Sequence, residues 1–322
     1  MLKRTEGSKI GTAKGAGAQV WAQGLFGKPP EITPQEKIVR ALVNEHIPSI
    51  YKCFVELEEN PIPTTVLVDH IAARFEFSAE SQKILHAAAQ IASEENPNPY
   101  HNPMHFQHVF ILAALLGRRA SYMSNLDEQN FRNLLVAALI HDYKHDGTGN
   151  KGEQFRLEKI SIAASRERLL AAGLTPEDLE VISGYVLATD ISKDFSNPDA
   201  KSPIETLRDY QKTKKAWYIQ PELRSLYKRS QRDGINHMEV AMILHDADVG
   251  ASIITAGMCE ELGHRLAEEQ HKPFNTNDSK FFLVNIVHKE MASQIGFDLL
   301  QPYLNDTLRA YDIPLEEPAV NL

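Results

Sequence analysis

The apolar residues of this chain recur mainly at intervals of three and four positions from Thr33 onward, which is the spacing of amphipathic helices. Few stretches alternate apolar and polar residues as a half-buried strand would. The pattern therefore predicts an all-α fold, with one compact multi-helix domain over residues 31–317. Residues 1–30 are rich in Gly, Ala and Lys with little periodicity, so we expect a flexible tail there and a short C-terminal tail over residues 318–322.

Four of the predicted helices carry polar residues beside strongly apolar runs. Asn102 and Pro103 suit the N-cap and the first position of a helix, which should continue through FQHVFILAALL and stop near Gly117. So apolar a sequence is typical of a central helix. The second helix is expected over about residues 129–144, the third begins near residue 236 and contains MEVAMILHDADVGASII, and the fourth covers about residues 280–300.

Histidine and aspartate residues fall on the inward faces of three of these helices. His105 lies in the first turn of the first helix, and His141 with Asp142 continues the apolar stripe of the second. In the third helix Asp248 continues the apolar line that runs through Leu244, so it is predicted to be buried. An unpaired imidazole or carboxylate is costly to bury, and a shared divalent cation would remove that cost. This mixed nitrogen and oxygen set suits an ion that activates water.

Each of these residues also has an ordinary explanation when it is taken alone. An isolated His-Asp pair is common by chance, and a lone His105 would more often be a hydrogen-bonded core histidine than a ligand. Asp248 could pair with Arg or Lys. The order His, His-Asp, Asp on apolar helices is typical of HD-domain metal hydrolases and favours the metal site.

Composition limits the class of partner and the compartment. The net charge of -9 and the lack of a basic stripe argue against nucleic acid. Cys53 and Cys259 lie far apart without CxxC spacing, so we expect neither a disulfide framework nor a thiolate zinc site. No stretch has the roughly 18 apolar residues of a membrane span and no secretory signal is visible. We expect a soluble, cytoplasmic protein, with export without a conventional signal left open and the oligomeric state undetermined.

Five stretches in fixed order make the resemblance to a known family specific. They are PYHNPMHFQHV from Pro99, HDYKHDGTGN from His141, VLATDISKD from Val186, LHDADV from Leu244 and SQIGF from Ser293. Over residues 99–303 the chain resembles the catalytic domain of class I 3',5'-cyclic nucleotide phosphodiesterases, a branch of the HD-domain metal phosphohydrolases. Most HD hydrolases would share only the metal ligands, so ATDIS and SQIGF discriminate between branches.

The resemblance implies a two-metal hydrolase of the HD type. The first ion, Zn²⁺, would be held by the residues that match the family's first metal site, which are His105, His141, Asp142 and Asp248. The second ion, Mg²⁺ or Mn²⁺, would be held by Asp142 and water. His101 would be the general acid that protonates the O3' leaving group, and its place in the loop before Pro103 suits that role.

Further residues are expected around the metals. His145 is expected one helical turn beyond His141, facing the same cavity. By resemblance, Thr189 and Asp190 would orient waters of the second metal, and Glu158 would pair with the acid or with metal waters. The alignment of Glu158 needs a deletion after Asn150, and Ser161 stands where the family has a histidine.

Base recognition would fall to Gln294, whose amide can donate to and accept from a purine edge, and to Phe297, which can stack on the ring. Ala251 replaces an Asn of many cAMP-selective members, so the preference between cAMP and cGMP stays open.

The sequence thus predicts a signal-transduction hydrolase that opens a cyclic nucleotide to the 5'-monophosphate. The alternatives are a phosphohydrolase of linear nucleotides and a catalytically impaired cyclic-nucleotide binder. A kinase-like Arg-Arg-Ala-Ser tetrapeptide ending at Ser121 is expected in a loop.

Overall fold

The computed structural model describes residues 32–315 except 95, 125, 194–196 and 198. All regular elements within these residues are helices, which confirms the all-α prediction. The described residues from Pro34 onward form one compact unit. The tails expected over residues 1–30 and 318–322 lie outside the described residues.

The α-helices of the described region are α1 (Pro34–Val43), α2 (Ile47–Glu59), α3 (Thr64–Arg74), α4 (Ala79–Ala92), α5 (Pro103–Met123), α6 (Glu128–Ile140), α7 (Arg156–Ala172), α8 (Pro176–Leu187), α9 (Pro203–Thr213), α10 (Arg224–Asp233), α11 (His237–Gly250), α12 (Ala256–Glu269), α13 (Thr276–Phe281) and α14 (Gln294–Ala310). Short 3₁₀ turns lie at Ala216–Tyr218, Pro221–Leu223 and Ala251–Ile253, and a π-helical segment at Phe282–Ile286.

Helix α5 is the central element, as its composition predicts. Its residues from His105 through Gly117 are all buried, and it packs chiefly against α6 and α11. At its start the Asn102 side chain accepts hydrogen bonds from the backbone N–H groups of Met104 and His105, and Pro103 supplies the first residue. The cap therefore fixes the helical turn that carries His105.

Helix α5 does not stop near Gly117, and that prediction was wrong. The helix continues to Met123, because Gly117 serves a close helix contact rather than a turn. A Cβ atom at Gly117 would lie 2.5 Å from Cε2 of Phe131 on α6. The tetrapeptide at residues 118–121 consequently lies in a helix, not in the predicted loop, and the Ser121 hydroxyl donates to the Gly117 carbonyl.

Helix α6 is also shorter than predicted. It ends at Ile140, His141 is its C-cap, and residues up to 144 form a turn. Lys144 has φ of 63°, a left-handed conformation that cannot continue an α-helix. His145 therefore does not lie one helical turn beyond His141, although the turn brings it back toward the same site.

The predicted fourth helix is two helices separated by a break. Helix α13 and the π-helical segment end at Ile286, and α14 starts only at Gln294. His288 and Lys289 have φ of 62° and 59°, and Ser293 caps α14 by accepting a hydrogen bond from the backbone N–H of Gly296. The apolar spacing continues across the break, which is why the pattern suggested one helix.

A buried carboxylate ties α6 to α8. Asp178 accepts hydrogen bonds from the side-chain amides of Gln129 and Asn133, each at 2.8 Å, and lies 3.0 Å from a guanidinium nitrogen of Arg132. It also forms a capping box with Thr175 at the start of α8. Burial alone would raise the pKa of Asp178, but these donors and the Arg132 charge lower it.

Two further findings concern the chain as a whole. No single helix in the described part of the chain is long and apolar enough to cross a membrane. The segments His237–Ile253 and Ala256–Glu269 meet that criterion only as a pair, which is bent by 101°. Cys53 and Cys259 are both buried free thiols.

Candidate metal centre and active site

Four side chains meet at one point: one from α5, one from α11 and two from the turn that follows α6. The Nε2 atoms of His105 and His141 lie 3.1 Å apart. Each of these nitrogens also lies 3.0–3.4 Å from an oxygen of Asp142 and from an oxygen of Asp248. The structure thus brings together the four residues that the sequence singles out as ligands.

The spacing of these donor atoms fits a divalent metal ion. Ligands at about 2.0–2.1 Å from a tetrahedral zinc lie about 3.3 Å from one another, close to the separations found here. Two imidazoles with two carboxylates are also a suitable donor set for a borderline or hard ion. The ring orientation agrees, because His141 Nδ1 donates to the Ala138 carbonyl at 3.0 Å and leaves the Nε2 lone pair facing the cluster.

The electrostatics of the cluster reflect its burial and its mixed charge. Burial opposes the charged form of every member, but the opposite charges nearby outweigh it. The pKa values of His105 and His141 are therefore raised, and those of Asp142 and Asp248 are lowered. A bound cation would take the place of the imidazole protons in neutralising the two carboxylates.

Asp248 is less buried than its helical position predicts. Its side chain keeps 17% of its surface exposed and that of Asp142 keeps 14%, whereas His141 has none. The two carboxylates therefore line the open side of the cluster, and the histidines form its floor. The cluster is therefore open to solvent on this side.

His101 lies beside the cluster and outside it, as expected for a group that moves a proton. Its Nε2 lies 3.6 Å from an Asp142 oxygen, while its Nδ1 bonds to Glu269 at 2.5 Å. His145 stacks on the His101 ring at 3.7 Å between centroids and lies 3.4 Å from the same Glu269 oxygen. Glu269 therefore orients both imidazoles.

Glu269 was missed by the sequence reasoning, although a signal was present. It is 5% exposed at the end of α12 and also accepts from the backbone N–H groups of Tyr100 and His101. It follows Leu262 and Leu266 at i, i+4 and i+7, the same kind of alignment that singled out Asp248. Burial raises the pKa of Glu269, but hydrogen bonds from His101 and His145 outweigh burial and lower it.

A second group of buried acids, Glu158 and Asp190, lies close enough to the cluster for the charge of Asp142 to act on Glu158. Asn150 donates to Asp190 at 2.8 Å and to Glu158 at 3.3 Å, and it accepts from the backbone N–H of Leu157. The short segment after Asn150 thus still brings Glu158 next to Asp190. Burial, and then the charge of Asp190, raise the pKa of Glu158, with a further contribution from Asp142.

Thr189 and Ser161, which lie near Asp190 and Glu158 in the sequence, both donate hydrogen bonds to backbone carbonyls. Thr189 is buried, and its hydroxyl donates to the Val186 carbonyl at 2.7 Å. Ser161, which stands where the resemblance predicts a histidine, is also fully buried and donates to the carbonyl of Ile140 at the end of α6. Its hydroxyl thus satisfies a backbone group at the end of that helix.

Gln294 and Phe297 lie in the first turn of α14, outside the metal cluster. Both line a cavity of about 280 Å³ that also includes Arg208 and Gln211 of α9. Phe297 is 44% exposed, and the Gln294 side-chain amide donates to Asp298 at 2.9 Å. An exposed ring beside an amide is a suitable surface for a planar base.

Comparison with known proteins relates both the sequence and the fold to one family. The chain is 26% identical over 273 residues to the high affinity cAMP-specific and IBMX-insensitive 3',5'-cyclic phosphodiesterase 8A of Homo sapiens. The match covers 72% of this chain and 32% of that protein, so the chain spans about a third of its relative's length. No family model matches the chain.

Solved structures share the fold. The phosphodiesterase domain of the RhoPDE fusion protein from the choanoflagellate Salpingoeca rosetta matches with a TM-score of 0.55 at 18% identity, covering 92% of this chain and 96% of that one. A second structure, of the phosphodiesterase domain of the S. rosetta rhodopsin phosphodiesterase, gives 0.54 at 17% identity, covering 87% and 92%. Together with the five ordered motifs, the sequence relationship and the shared fold make this chain similar to the catalytic domains of class I cyclic nucleotide phosphodiesterases.

Proposed function

We propose that the protein hydrolyses a 3',5'-cyclic nucleotide to the nucleoside 5'-monophosphate and so removes a cyclic-nucleotide signal. One observation carries the proposal. Donor atoms of His105, His141, Asp142 and Asp248 lie within ligand distance of one another, directly beside the paired His101 and Glu269. A metal-dependent diester hydrolase needs both parts, one to bind and neutralise the phosphate and one to protonate the leaving alkoxide.

The donor set indicates which ions would serve. His105, His141, Asp142 and Asp248 would hold Zn²⁺, while Asp142, at the open side, would contribute to a second site for Mg²⁺ or Mn²⁺. When bound, such ions supply a water of lowered pKa and neutralise charge on the phosphoryl oxygens. Asp190 and Glu158, with Thr189, would orient the metal-bound waters.

His101 would deliver a proton from Nε2 to the O3' leaving group. Its Nδ1 is held by Glu269, so Nε2 is the atom turned toward Asp142 and the open side of the cluster. Burial lowers the pKa of His101, whereas the charges of Asp142 and Glu269 act to raise it. Glu269 would thus stabilise the protonated ring that the reaction needs.

Gln294 and Phe297 would bind the purine, Gln294 through hydrogen bonds to the base edge and Phe297 by stacking. The substrates would be cAMP, cGMP or both; the human relative is named as cAMP-specific. We further propose a reducing, cytoplasmic setting, since both cysteines are buried free thiols.

The test is an assay of the purified protein with Mg²⁺ or Mn²⁺ across cAMP, cGMP and linear nucleotides, with metal content measured in the same samples. The expected result is 5'-monophosphate from a cyclic nucleotide. Hydrolysis of linear nucleotides alone would indicate a different phosphohydrolase. Tight binding of a cyclic nucleotide by metal-loaded protein without turnover would indicate an impaired binder, and either result rejects the proposal.

A further inference from the structure

Helix α11 contacts the start of α14 through a fully buried carboxylate. Asp246 is 0% exposed. One of its oxygens accepts from the backbone N–H of Ala292 at 2.7 Å, and the other accepts from the backbone N–H and the hydroxyl of Ser293, at 2.8 and 2.6 Å. Asp246 thus binds the two residues that precede Gln294.

Side-chain acceptors satisfy the neighbouring N–H groups as well. Glu239, also on α11, accepts from the backbone N–H of Gln294 at 2.8 Å, and Gln301 accepts from that of Met291 at 2.8 Å. Four consecutive backbone donors, residues 291–294, are therefore bonded to side chains. Ser293 is the N-cap of α14 and Gln294 is its first residue, so two of these N–H groups lie at a helix start, where they have no intrahelical partner. The acceptors therefore hold the segment that leads into α14.

The approach of the two helices at this point requires a glycine. A Cβ atom at Gly296 would lie 2.1 Å from Oδ2 of Asp246. No side chain fits at such a distance, so the carboxylate and the glycine form one matched contact. The Ser293 hydroxyl completes it by accepting from the Gly296 N–H at 2.8 Å while donating to Asp246.

We propose that Asp246 is a positioning residue that fixes Gln294 and Phe297 relative to the metal-binding end of α11. Asp248 lies two residues farther along the same helix, on a different side. One rigid helix therefore holds the phosphate end of a substrate through Asp248 and the base end through Asp246. This inference rests on the proposed function, because it takes Gln294 and Phe297 as the residues that bind the base.

The kinetic test measures the turnover of two substrates by the Asp246→Ala variant and by wild type. A cyclic nucleotide needs the base site, whereas bis(4-nitrophenyl) phosphate has no base and needs only the metal centre. We expect KM for the cyclic nucleotide to rise about tenfold or more, since small displacements of a positioned group are costly, with kcat/KM for the base-free ester within about twofold of wild type. The metal content should stay unchanged.

Thr307→Val is the matched control. It removes a buried hydrogen bond from the other end of α14, where the Thr307 hydroxyl donates to the Ile253 carbonyl at 2.9 Å. It should lower stability without changing either KM. Asp246→Asn, which keeps the size of the side chain and one acceptor, should shift KM in the same direction by less and covers the case in which Asp246→Ala does not fold. A parallel change of both substrates in the Asp246 variants would overturn the proposal.

Gly296→Ala provides an independent test of the contact. Alone, it should destabilise the protein in urea unfolding, because the new Cβ meets the carboxylate. In the Asp246→Ala background the same change should cost much less, since the carboxylate is gone. Additive effects of the two substitutions on the free energy of unfolding would reject the contact between Asp246 and Gly296. Unfolding does not depend on activity, so this double-mutant cycle tests the contact even in a protein without turnover. A wild-type protein that turns over no cyclic nucleotide would instead reject the proposed function.

Discussion

Glu269 accepts a hydrogen bond from the ring of His101 at 2.5 Å, although 168 residues separate the two in the chain. The same carboxylate accepts from the backbone N–H of His101 at 3.0 Å. Ring and backbone are therefore held by the two oxygens of one carboxylate, which leaves the other ring nitrogen directed at Asp142. The orientation of the proposed proton donor thus depends on a residue from a distant helix.

Glu269→Gln should lower kcat by about a hundredfold, because an amide supports the protonated ring poorly and general-acid catalysis contributes about 10²–10⁴-fold. Metal content should not change. The measurement is steady-state turnover together with elemental analysis. Glu268→Gln, an exposed neighbour on the same helix, is the control and should behave as wild type. An unchanged kcat in Glu269→Gln would remove Glu269 from the mechanism.

Added Zn²⁺ should raise the melting temperature of metal-free protein, because an ion that binds only the folded state stabilises it by about 4 kcal/mol at a thousandfold excess over Kd. Asp142→Ala should lose most of this shift, its bound metal and its turnover. His101→Ala should lose turnover but keep metal and shift. Loss of metal in His101→Ala would mean that His101 is a ligand and not the acid.

Gln294→Ala should raise KM for purine cyclic nucleotides and reduce the discrimination between cAMP and cGMP, since it removes the amide that reads the base edge. Turnover of bis(4-nitrophenyl) phosphate should stay the same and serves as the internal control. If KM is unchanged for every cyclic nucleotide, the base is bound elsewhere.

The all-α fold was predictable because helical periodicity persists along the chain. The four cluster residues were predictable because each is a polar residue on an apolar line, where burial needs a partner. The hydrogen-bond partners that these and other buried residues find on distant helices could not be predicted. The pairing of Glu269 with His101 and that of Asp246 with residues 292 and 293 depend on how helices pack, which spacing within one helix does not reveal.

The errors in helix boundaries have a similar origin. Gly117 was expected to end a helix, but only the position of Phe131 on a neighbouring helix explains why a glycine is needed within one. The break before α14 depends on two left-handed residues, His288 and Lys289, whose conformation the sequence does not specify. Periodicity therefore predicted the existence of helices better than their ends.

Gly117→Ala should destabilise the protein by about 1–3 kcal/mol, because the added methyl would overlap the Phe131 ring. Gly257→Ala is the matched control. It lies in helix α12 with nothing within 4 Å of the new Cβ, so it should be neutral or stabilise by about 0.4–1 kcal/mol. Urea unfolding measures both. Equal effects of the two changes would contradict the close contact between α5 and α6.

Asp178→Asn should destabilise by about 3 kcal/mol at pH 7, because it leaves the buried Arg132 without its anion. The folded-state pKa of Asp178 is lowered, so its contribution is present above the unfolded pKa of about 3.9 and is lost as pH falls through the folded value.

The difference in the free energy of unfolding between wild type and Asp178→Asn should therefore have its largest value at pH 7 and decrease at pH values below about 4. Unfolding in urea at both ends of this range measures it. Asp306→Asn, with a side chain 75% exposed beside Arg309, is the control and should change stability little at any pH. A stability difference that does not depend on pH would mean that the charge of the Asp178 carboxylate does not stabilise its contacts with Arg132 and the side-chain amides.

The Ser161 hydroxyl reaches the Ile140 carbonyl only because α7 lies close to the end of α6. An imidazole has far more volume than a hydroxymethyl group and would not fit in this fully buried space. Ser161→His alone should therefore destabilise the protein, and a histidine at this position would need a second substitution that moves α7 away from the end of α6.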